Sequence, residues 1–152
     1  MTQPAAAPIV RPLTPQDAAA WRALWTDYLA FYETVLDETV KDATFARLLD
    51  PAEPAMNALV AEIDGRPVGL VHYIFHRHCW RVEDVCYLQD LFTAPEARGR
   101  GVARALIEAV YDRAGQAGSP QVYWMTQDFN HTARALYDKV ARLTPFIKYQ
   151  HP

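Results

Sequence analysis

The sequence predicts an α/β (α+β) domain in which helices cover a central mixed β-sheet, in the order β-α-α-β-β-β-α-β-α-β. Three consecutive strand-like segments in the middle of the chain indicate an antiparallel meander, and a strand–turn–helix–strand succession after them indicates one parallel crossover. With 152 residues, 51% of them hydrophobic, the chain is long enough to bury one core. We therefore expect a single domain over 9–152, preceded by a flexible tail over 1–8.

The first half of the chain is predicted to form one strand and two helices, over 9–11, 17–36 and 37–49. Thr14 is suited to cap the first helix, with Pro15 at its first position and Asp17 three residues after the cap. Apolar residues then recur at helical spacing. Pro51 ends the second helix because the residue before a proline disfavours helical backbone angles.

The second half is predicted to form strands over 57–63, 66–75, 83–93 and 121–126, helices over 103–115 and 130–141, and a closing strand over 146–149. Asp64 and Gly65 separate the first two of these strands, and this dipeptide is a strong hairpin signal. Gly118 and Pro120 interrupt the chain between the helix and the strand that follows it.

The most informative segment is the turn between the fourth predicted strand and the helix after it. Arg98, Arg100 and Arg104 cluster where that helix begins, although helix N-termini carry partial positive charge and favour anions. Gly99 and Gly101 let the backbone turn tightly and present its N–H groups. A bound phosphate-rich ligand reconciles these features. The alternative is an ordinary strand-to-helix turn with solvated arginines.

Composition and motifs exclude several other classes of protein. No Gly-Lys-Ser/Thr follows the glycines as in a P-loop, and Arg104 stands where a dinucleotide fingerprint needs a small residue. The net charge of −3 gives no electrostatic footprint for nucleic acid, and no run of about 18 apolar residues predicts a membrane span. Cys79 and Cys86 form no disulfide framework. We expect a cytoplasmic protein without a nucleic-acid or membrane partner.

The order Arg-x-x-Gly-x-Ala from Arg98 to Ala103 resembles the pyrophosphate loop of the GNAT acyltransferase superfamily. Segments 87–99 and 130–139 resemble the diamine (spermidine/spermine) and fungal histone/polyamine acetyltransferases. The resemblance implies an acetyl-CoA-dependent N-acetyltransferase, in which a primary amine, expected to be a small cation, attacks the thioester directly. We also expect a homodimer. A protein lysine or N-terminal acetyltransferase and a non-catalytic acyl-CoA-binding module remain alternatives.

The resemblance also implies which residues contact acetyl-CoA. In the family the fourth and fifth strands splay apart, so that backbone groups of the fourth strand meet the pantetheine arm. One of these N–H groups would stabilise the developing oxyanion, a contribution of about 3–4 kcal/mol. The expected cofactor-binding residues are Leu91, Phe92, Thr93, Arg98, Gly99, Arg100, Gly101, Val102, Ala103, Arg104, Asn130 and Tyr137.

By the same resemblance, Tyr137 is the catalytic acid toward the departing thiolate. Its alternative role is packing against the sheet. Where the diamine enzymes carry a glutamate, this chain has Gln89, which cannot accept a proton. Asp90 is therefore the expected catalytic base, ahead of Glu33 or a chain of waters. Strand alternation turns Asp90 to the wrong sheet face unless a bulge intervenes.

Tyr32, Glu33 and Gln89 are the expected substrate-binding residues, because segment 28–33 resembles the substrate-contacting segment of the diamine enzymes. Aromatic rings and carboxylates together suit an elongated cation. The alternative is an amphipathic helix that buries its aromatic residues. His72, with the other histidines of its strand, lacks a tight ligand motif, so no metal is expected.

Overall fold

A computed structural model of the chain describes residues 4–152. The strands are β1 (Ile9–Pro12), β2 (Met56–Ile63), β3 (Arg66–His76), β4 (Val85–Thr93) and β5 (Val122–Tyr123). The helices are α1 (Ala18–Phe31), α2 (Glu38–Leu49), α3 (Val102–Gln116) and α4 (His131–Val140). Of the tail expected over 1–8, residues 1–3 lie outside the described part, and 4–8 form neither helix nor strand.

The strands form one mixed sheet in the order β1-β2-β3-β4-β5, with helices on both faces. The first four strands are antiparallel to their neighbours, and β5 is parallel to β4. One face packs against α1 and α2, and the other packs against α3 and α4. The predicted fold class is confirmed. In the range 4–152, no helix is both long enough and apolar enough to cross a membrane.

The start of α1 follows the sequence prediction. The Thr14 N–H donates to the Asp17 carboxylate at 2.8 Å, and Arg11 of β1 donates to the same carboxylate at 2.8 Å. Hydrogen bonding to Arg11 and to Thr14 outweighs burial and lowers the pKa of Asp17 to about 2. Arg11 also pairs with Glu62 of β2 at 2.9 Å. The entry into α1 is thereby tied to the edge of the sheet.

A glycine in β3 determines how closely α3 approaches the sheet. A Cβ atom at Gly69 would lie 2.7 Å from Val102 Cγ1 and 3.0 Å from the Phe92 carbonyl oxygen. Both distances are shorter than side chains tolerate, so only glycine allows the first turn of α3 to sit against β3. This contact fixes the loop that precedes α3 relative to the end of β4.

Two predicted elements are shorter than expected. The helix expected over 17–36 ends at Phe31, because Glu33 adopts a left-handed conformation (φ 55°) and the Thr34 N–H returns to the Leu29 carbonyl at 2.9 Å. The strand expected over 121–126 is formed only at Val122–Tyr123, because these are the only residues of that range that pair with β4.

The closing strand expected over 146–149 is absent, because no strand lies alongside it to supply a ladder. Residues 141–152 form neither helix nor strand, and every one of them is exposed. The large apolar side chains of this segment include Phe146, which is 79% exposed, and Ile147, which is 77% exposed.

Candidate active site

A β-bulge in β4 decides the direction in which Asp90 points. His72 of β3 lies opposite Asp90, whereas Tyr73 lies opposite Leu88, so Gln89 is an extra residue on β4. Leu88 packs in the core shared with α3, while Asp90 turns toward α1 and is buried. The bulge that the Asp90 interpretation required is present. Gln89 itself is exposed.

Beyond this bulge, β4 parts from its parallel neighbour. The β4–β5 ladder joins only Cys86 with Val122 and Tyr87 with Tyr123, although β4 continues to Thr93. The backbone of 91–93 therefore borders a gap between two diverging strands rather than a ladder. The Thr93 hydroxyl is buried without a hydrogen-bond partner. A buried, unpaired polar group beside a gap is available to a ligand.

The loop after β4 presents backbone donors to open space. Gly99 and Gly101 both have positive φ angles, 77° and 79°, and a Cβ atom at either position would meet nothing within 4 Å. Gly101 is the N-cap of α3, and no side chain caps that helix start. The N–H groups of the first turn, which include those of Val102, Ala103 and Arg104, can therefore donate to an anion.

The three arginines around this helix start are exposed. Arg98 donates to the Thr93 carbonyl at 3.4 Å, Arg100 donates to the Ala6 carbonyl at 3.3 Å, and Arg104 pairs with Glu108 at 3.0 Å. A guanidinium carries five N–H donors. Each arginine therefore keeps donors free for phosphate oxygens.

Asp90 belongs to a buried hydrogen-bond network on the α1 side of the sheet. His72 Nδ1 lies 2.7 Å from Asp90 Oδ2, and the Trp21 indole N–H donates to His72 Nε2 at 2.9 Å. Burial and then the neighbouring Asp90 carboxylate raise the pKa of Tyr28 well above its ordinary value. The network thus contains a carboxylate with polar neighbours from α1 and β3.

The phenols of two more tyrosines lie near the Asp90 carboxylate. The pKa values of Tyr32 and Tyr87 are raised above the ordinary value, first by burial, and the charge of Asp90 contributes to both shifts. Tyr87 also stacks on Tyr123 of β5, with ring centroids 5.0 Å apart. Asp90 is therefore a carboxyl group bordered by aromatic rings at the point where β4 and β5 separate.

Tyr137 of α4 lies at the same place. Its ring packs edge-on against Trp124, with centroids 5.4 Å apart. Burial, and after it the neighbouring Tyr32 phenol, raise the pKa of Tyr137 to about 12. Its hydroxyl is therefore fully protonated at neutral pH and can donate a hydrogen bond. Tyr32 is a neighbour both of Tyr137 and of Asp90.

Asn130 is the N-cap of α4. Its Oδ1 accepts from the Ala133 N–H at 3.5 Å. The residue also lines a cavity of about 280 Å³ between the end of α1 and the start of α4, which Phe31 and Phe129 border. This cavity adjoins the end of α1, which Tyr32 directly follows.

Not every predicted residue joins this cluster. Glu33 is exposed in the left-handed turn after α1, and His76 pairs with the Tyr123 hydroxyl at 2.7 Å. Over the described part of the chain, no three His, Cys, Asp or Glu side chains are grouped to share a metal. Sequence reasoning missed the hydrogen bonds that join Trp21, His72 and Asp90. The signal available for His72 was a histidine in the middle of an apolar strand.

Comparisons with known proteins identify the family. The model of the acetyltransferase (GNAT) family matches residues 19–141. The chain is 42% identical to D-amino-acid N-acetyltransferase HPA3 of Saccharomyces cerevisiae over 93% of its own length and 89% of the relative. It is 30% identical to the thialysine N-epsilon-acetyltransferase of Caenorhabditis elegans over 74% of its own length and 69% of the relative.

Among solved structures, the aminoglycoside N-acetyltransferase AAC(6')-Iy in complex with CoA superposes with a TM-score of 0.84. The superposition covers 100% of this chain and 99% of that one at 17% sequence identity. At this identity the likeness concerns the fold.

Proposed function

Since this chain belongs to the GNAT acetyltransferase family, it is an acetyl-CoA-dependent N-acetyltransferase, and we propose that its acceptor is the primary amine of a small cationic molecule. The observation that carries the proposal is the buried Asp90 carboxylate among tyrosine rings at the β4–β5 gap. Carboxylate and aromatic faces together recognise an ammonium group.

Acetyl-CoA is proposed to bind along the gap and the loop that follows it. The uncapped N–H groups from Gly101 to Arg104 suit the pyrophosphate, and Gly99 leaves space for it. The arginines at 98, 100 and 104 add donors for phosphate oxygens. The pantetheine arm follows the backbone of Leu91, Phe92 and Thr93, which has no ladder partner on that side, and reaches Asn130 and Tyr137.

The proposed chemistry is direct attack of the amine nitrogen on the thioester carbonyl. An alkylammonium group, with a pKa of about 10, must first lose a proton. Asp90 receives the ammonium and serves as the base, while Gln89 and Tyr32 border the acceptor. A backbone N–H of β4 stabilises the oxyanion that develops on the carbonyl. Tyr137 donates its hydroxyl hydrogen bond to the thiolate that leaves.

The acceptor class is supported by three relatives whose names specify small amines. They are the D-amino-acid, thialysine and aminoglycoside acetyltransferases. In this chain the anion that would meet the amine is buried, whereas Glu33 is exposed. We therefore assign the main ammonium contact to Asp90 and a peripheral one to Glu33.

Steady-state kinetics on spermidine, a D-amino acid, an L-amino acid and a histone-tail peptide test this assignment. Asp90→Asn is expected to raise the acceptor's KM at least tenfold while leaving that of acetyl-CoA within twofold, because it removes charge pairing with the amine alone. Glu33→Gln should act in the same direction but more weakly. Gln89→Glu should raise activity on spermidine by adding an anion at the bulge.

Asp27→Asn is the matched control, because Asp27 is an exposed carboxylate on the same helix as Tyr28. It should leave both KM values unchanged. Acetylation of the peptide alone, indifferent to the substitutions at positions 33, 89 and 90, would contradict the small-amine assignment and leave acetyl transfer standing.

We also propose a homodimer in which segment 142–149 of each copy packs on the other. Every residue of the segment is exposed, and Phe146 and Ile147 have no apolar neighbour that covers them. The edge strand β5 offers an open ladder, with Tyr123 42% exposed and Met125, just after it, 50% exposed. Each chain carries both the exposed segment 142–149 and the open edge of β5. In a dimer, the segment of each copy can therefore cover the β5 edge of the other copy.

Light scattering after size exclusion tests the dimer. Phe146→Glu combined with Ile147→Glu should give a monomer, because two charges would be buried in the interface. Val35→Glu, at a position 95% exposed, is the control and should leave the mass unchanged. A wild-type protein that is already monomeric at micromolar concentration would refute the dimer.

The domain is proposed to span 9–152 and the protein to be cytoplasmic. Cys79 and Cys86 are both free thiols, which suits a reducing compartment. Fractionation of the producing cells would test the location.

A further inference from the structure

We infer that His72, held in one tautomer by Trp21, is a positioning residue that keeps the Asp90 carboxylate aimed at the acceptor amine. The inference rests on the proposed function, in which Asp90 meets the amine. It concerns two residues that take no direct part in the chemistry. His72 and Trp21 are 4% and 1% exposed, so neither is accessible to an acceptor.

The hydrogen-bond donors fix the tautomer of His72. An indole N–H can only donate, so the Trp21 contact of 2.9 Å requires a lone pair on His72 Nε2. The ring proton must then lie on Nδ1, which faces Asp90 Oδ2 at 2.7 Å. A neutral imidazole that donates from Nδ1 needs an acceptor opposite it, and Asp90 Oδ2 supplies one.

This arrangement also excludes His72 as a proton relay. A proton that passed from Asp90 to the ring would leave His72 with hydrogens on both nitrogens. Nε2–H would then face the indole N–H, two donors with no acceptor between them in a buried place. The hydrogen bond from Trp21 therefore prevents His72 from acting as a relay. The proton taken from the amine stays on Asp90 and does not pass to His72.

The backbone supports the same geometry. His72 and Asp90 are direct partners across β3 and β4, and the register shifts immediately beside them at the bulge. The bulge turns the Asp90 side chain toward α1, where Trp21 and Trp25 flank the His72 ring at centroid distances of 5.9 Å and 5.6 Å. The two indole rings thereby restrict movement of the His72 ring on the side away from Asp90. The hydrogen bond from the His72 ring in turn restricts movement of the Asp90 side chain.

Two amide substitutions separate positioning from relay. His72→Asn places an amide near the position of Nδ1 and keeps a donor for Asp90, whereas His72→Gln places it near Nε2 and keeps only a partner for Trp21. Neither amide titrates. We expect His72→Asn to stay within about threefold of wild type, and His72→Gln and His72→Leu to raise the acceptor's KM at least tenfold.

The affinity for acetyl-CoA, measured by calorimetry, should stay within twofold in all three variants and shows that each is folded. If His72→Asn is as damaging as His72→Gln, a titrating ring is needed and positioning is wrong. If none of the three changes the acceptor's KM, His72 has no role in the reaction.

A measurement on the unsubstituted protein is independent of turnover. Long-range ¹⁵N–¹H correlation spectra at neutral pH should show the His72 ring in its Nδ1–H tautomer. An Nε2–H tautomer or a doubly protonated ring would overturn the inference even if the enzyme is active. Absence of acetyl transfer to every amine, with the Nδ1–H tautomer present, would instead count against the proposed function.

Discussion

Gly101→Val is expected to abolish the thermal stabilisation that acetyl-CoA gives to the unsubstituted protein. A ligand at 100 times its dissociation constant stabilises a folded protein by about 2.7 kcal/mol. For a chain of this size that corresponds to a rise in Tm of roughly 5–10 °C. Gly101 has φ 79° and lies where the backbone N–H groups of α3 face open space. Valine would occupy the space through which the pyrophosphate approaches.

The strain of a branched residue at positive φ must be separated from loss of the ligand. Gly118, just after the opposite end of α3, has φ 73° and likewise open surroundings. Gly118→Val should therefore lower the Tm of the free protein by a similar amount, because both substitutions force an unfavourable conformation. It should keep the full rise with acetyl-CoA. A Gly101→Val protein that binds acetyl-CoA normally would refute the pyrophosphate loop.

Much of the fold could be predicted because it depends on local patterns. The Asp64–Gly65 hairpin formed as predicted, with both residues at positive φ, 52° and 75°. Boundaries were wrong where pairing depends on distant segments. β5 is short because β4 turns away from it, and a lone strand over 146–149 has no partner. The end of α1 at a left-handed Glu33 was hidden because glycine is the usual residue there.

The loop before α3 could also be found from the sequence, since its glycines and arginines are neighbours in the chain. The acceptor side of the site could not be found from the sequence. The face of the sheet to which Asp90 points depends on the register between β3 and β4. A single extra residue in one strand moves the side chain to the opposite face. The contact between Trp21 and His72 joins residues 51 positions apart. Only the packing of α1 on the sheet brings these side chains together.

Tyr111→Phe provides the reference against which the catalytic tyrosine is judged. Tyr111 of α3 lies on the same side of the sheet as Tyr137, and its hydroxyl donates to the Val140 carbonyl at 2.8 Å. Removing that hydroxyl should cost about 1 kcal/mol of stability through the lost hydrogen bond. Because Tyr111 has no assigned role in the reaction, kcat should stay within about twofold.

Tyr137→Phe is expected to lower kcat by roughly 10²-fold or more, the usual scale for a general acid, while the affinity for acetyl-CoA changes little. The pKa of Tyr137 is raised to about 12, first by burial, so the hydroxyl stays protonated throughout the neutral range. It can stabilise the leaving thiolate by hydrogen bonding, whereas full proton transfer to a thiolate of pKa about 8.5 is uphill. Phenylalanine keeps the edge-on contact with Trp124 and removes only the donor. Single-turnover measurements of thiol release should locate the loss in the chemical step. If turnover survives within twofold, as expected for Tyr111→Phe, Tyr137 is a packing residue and another group stabilises the leaving thiolate.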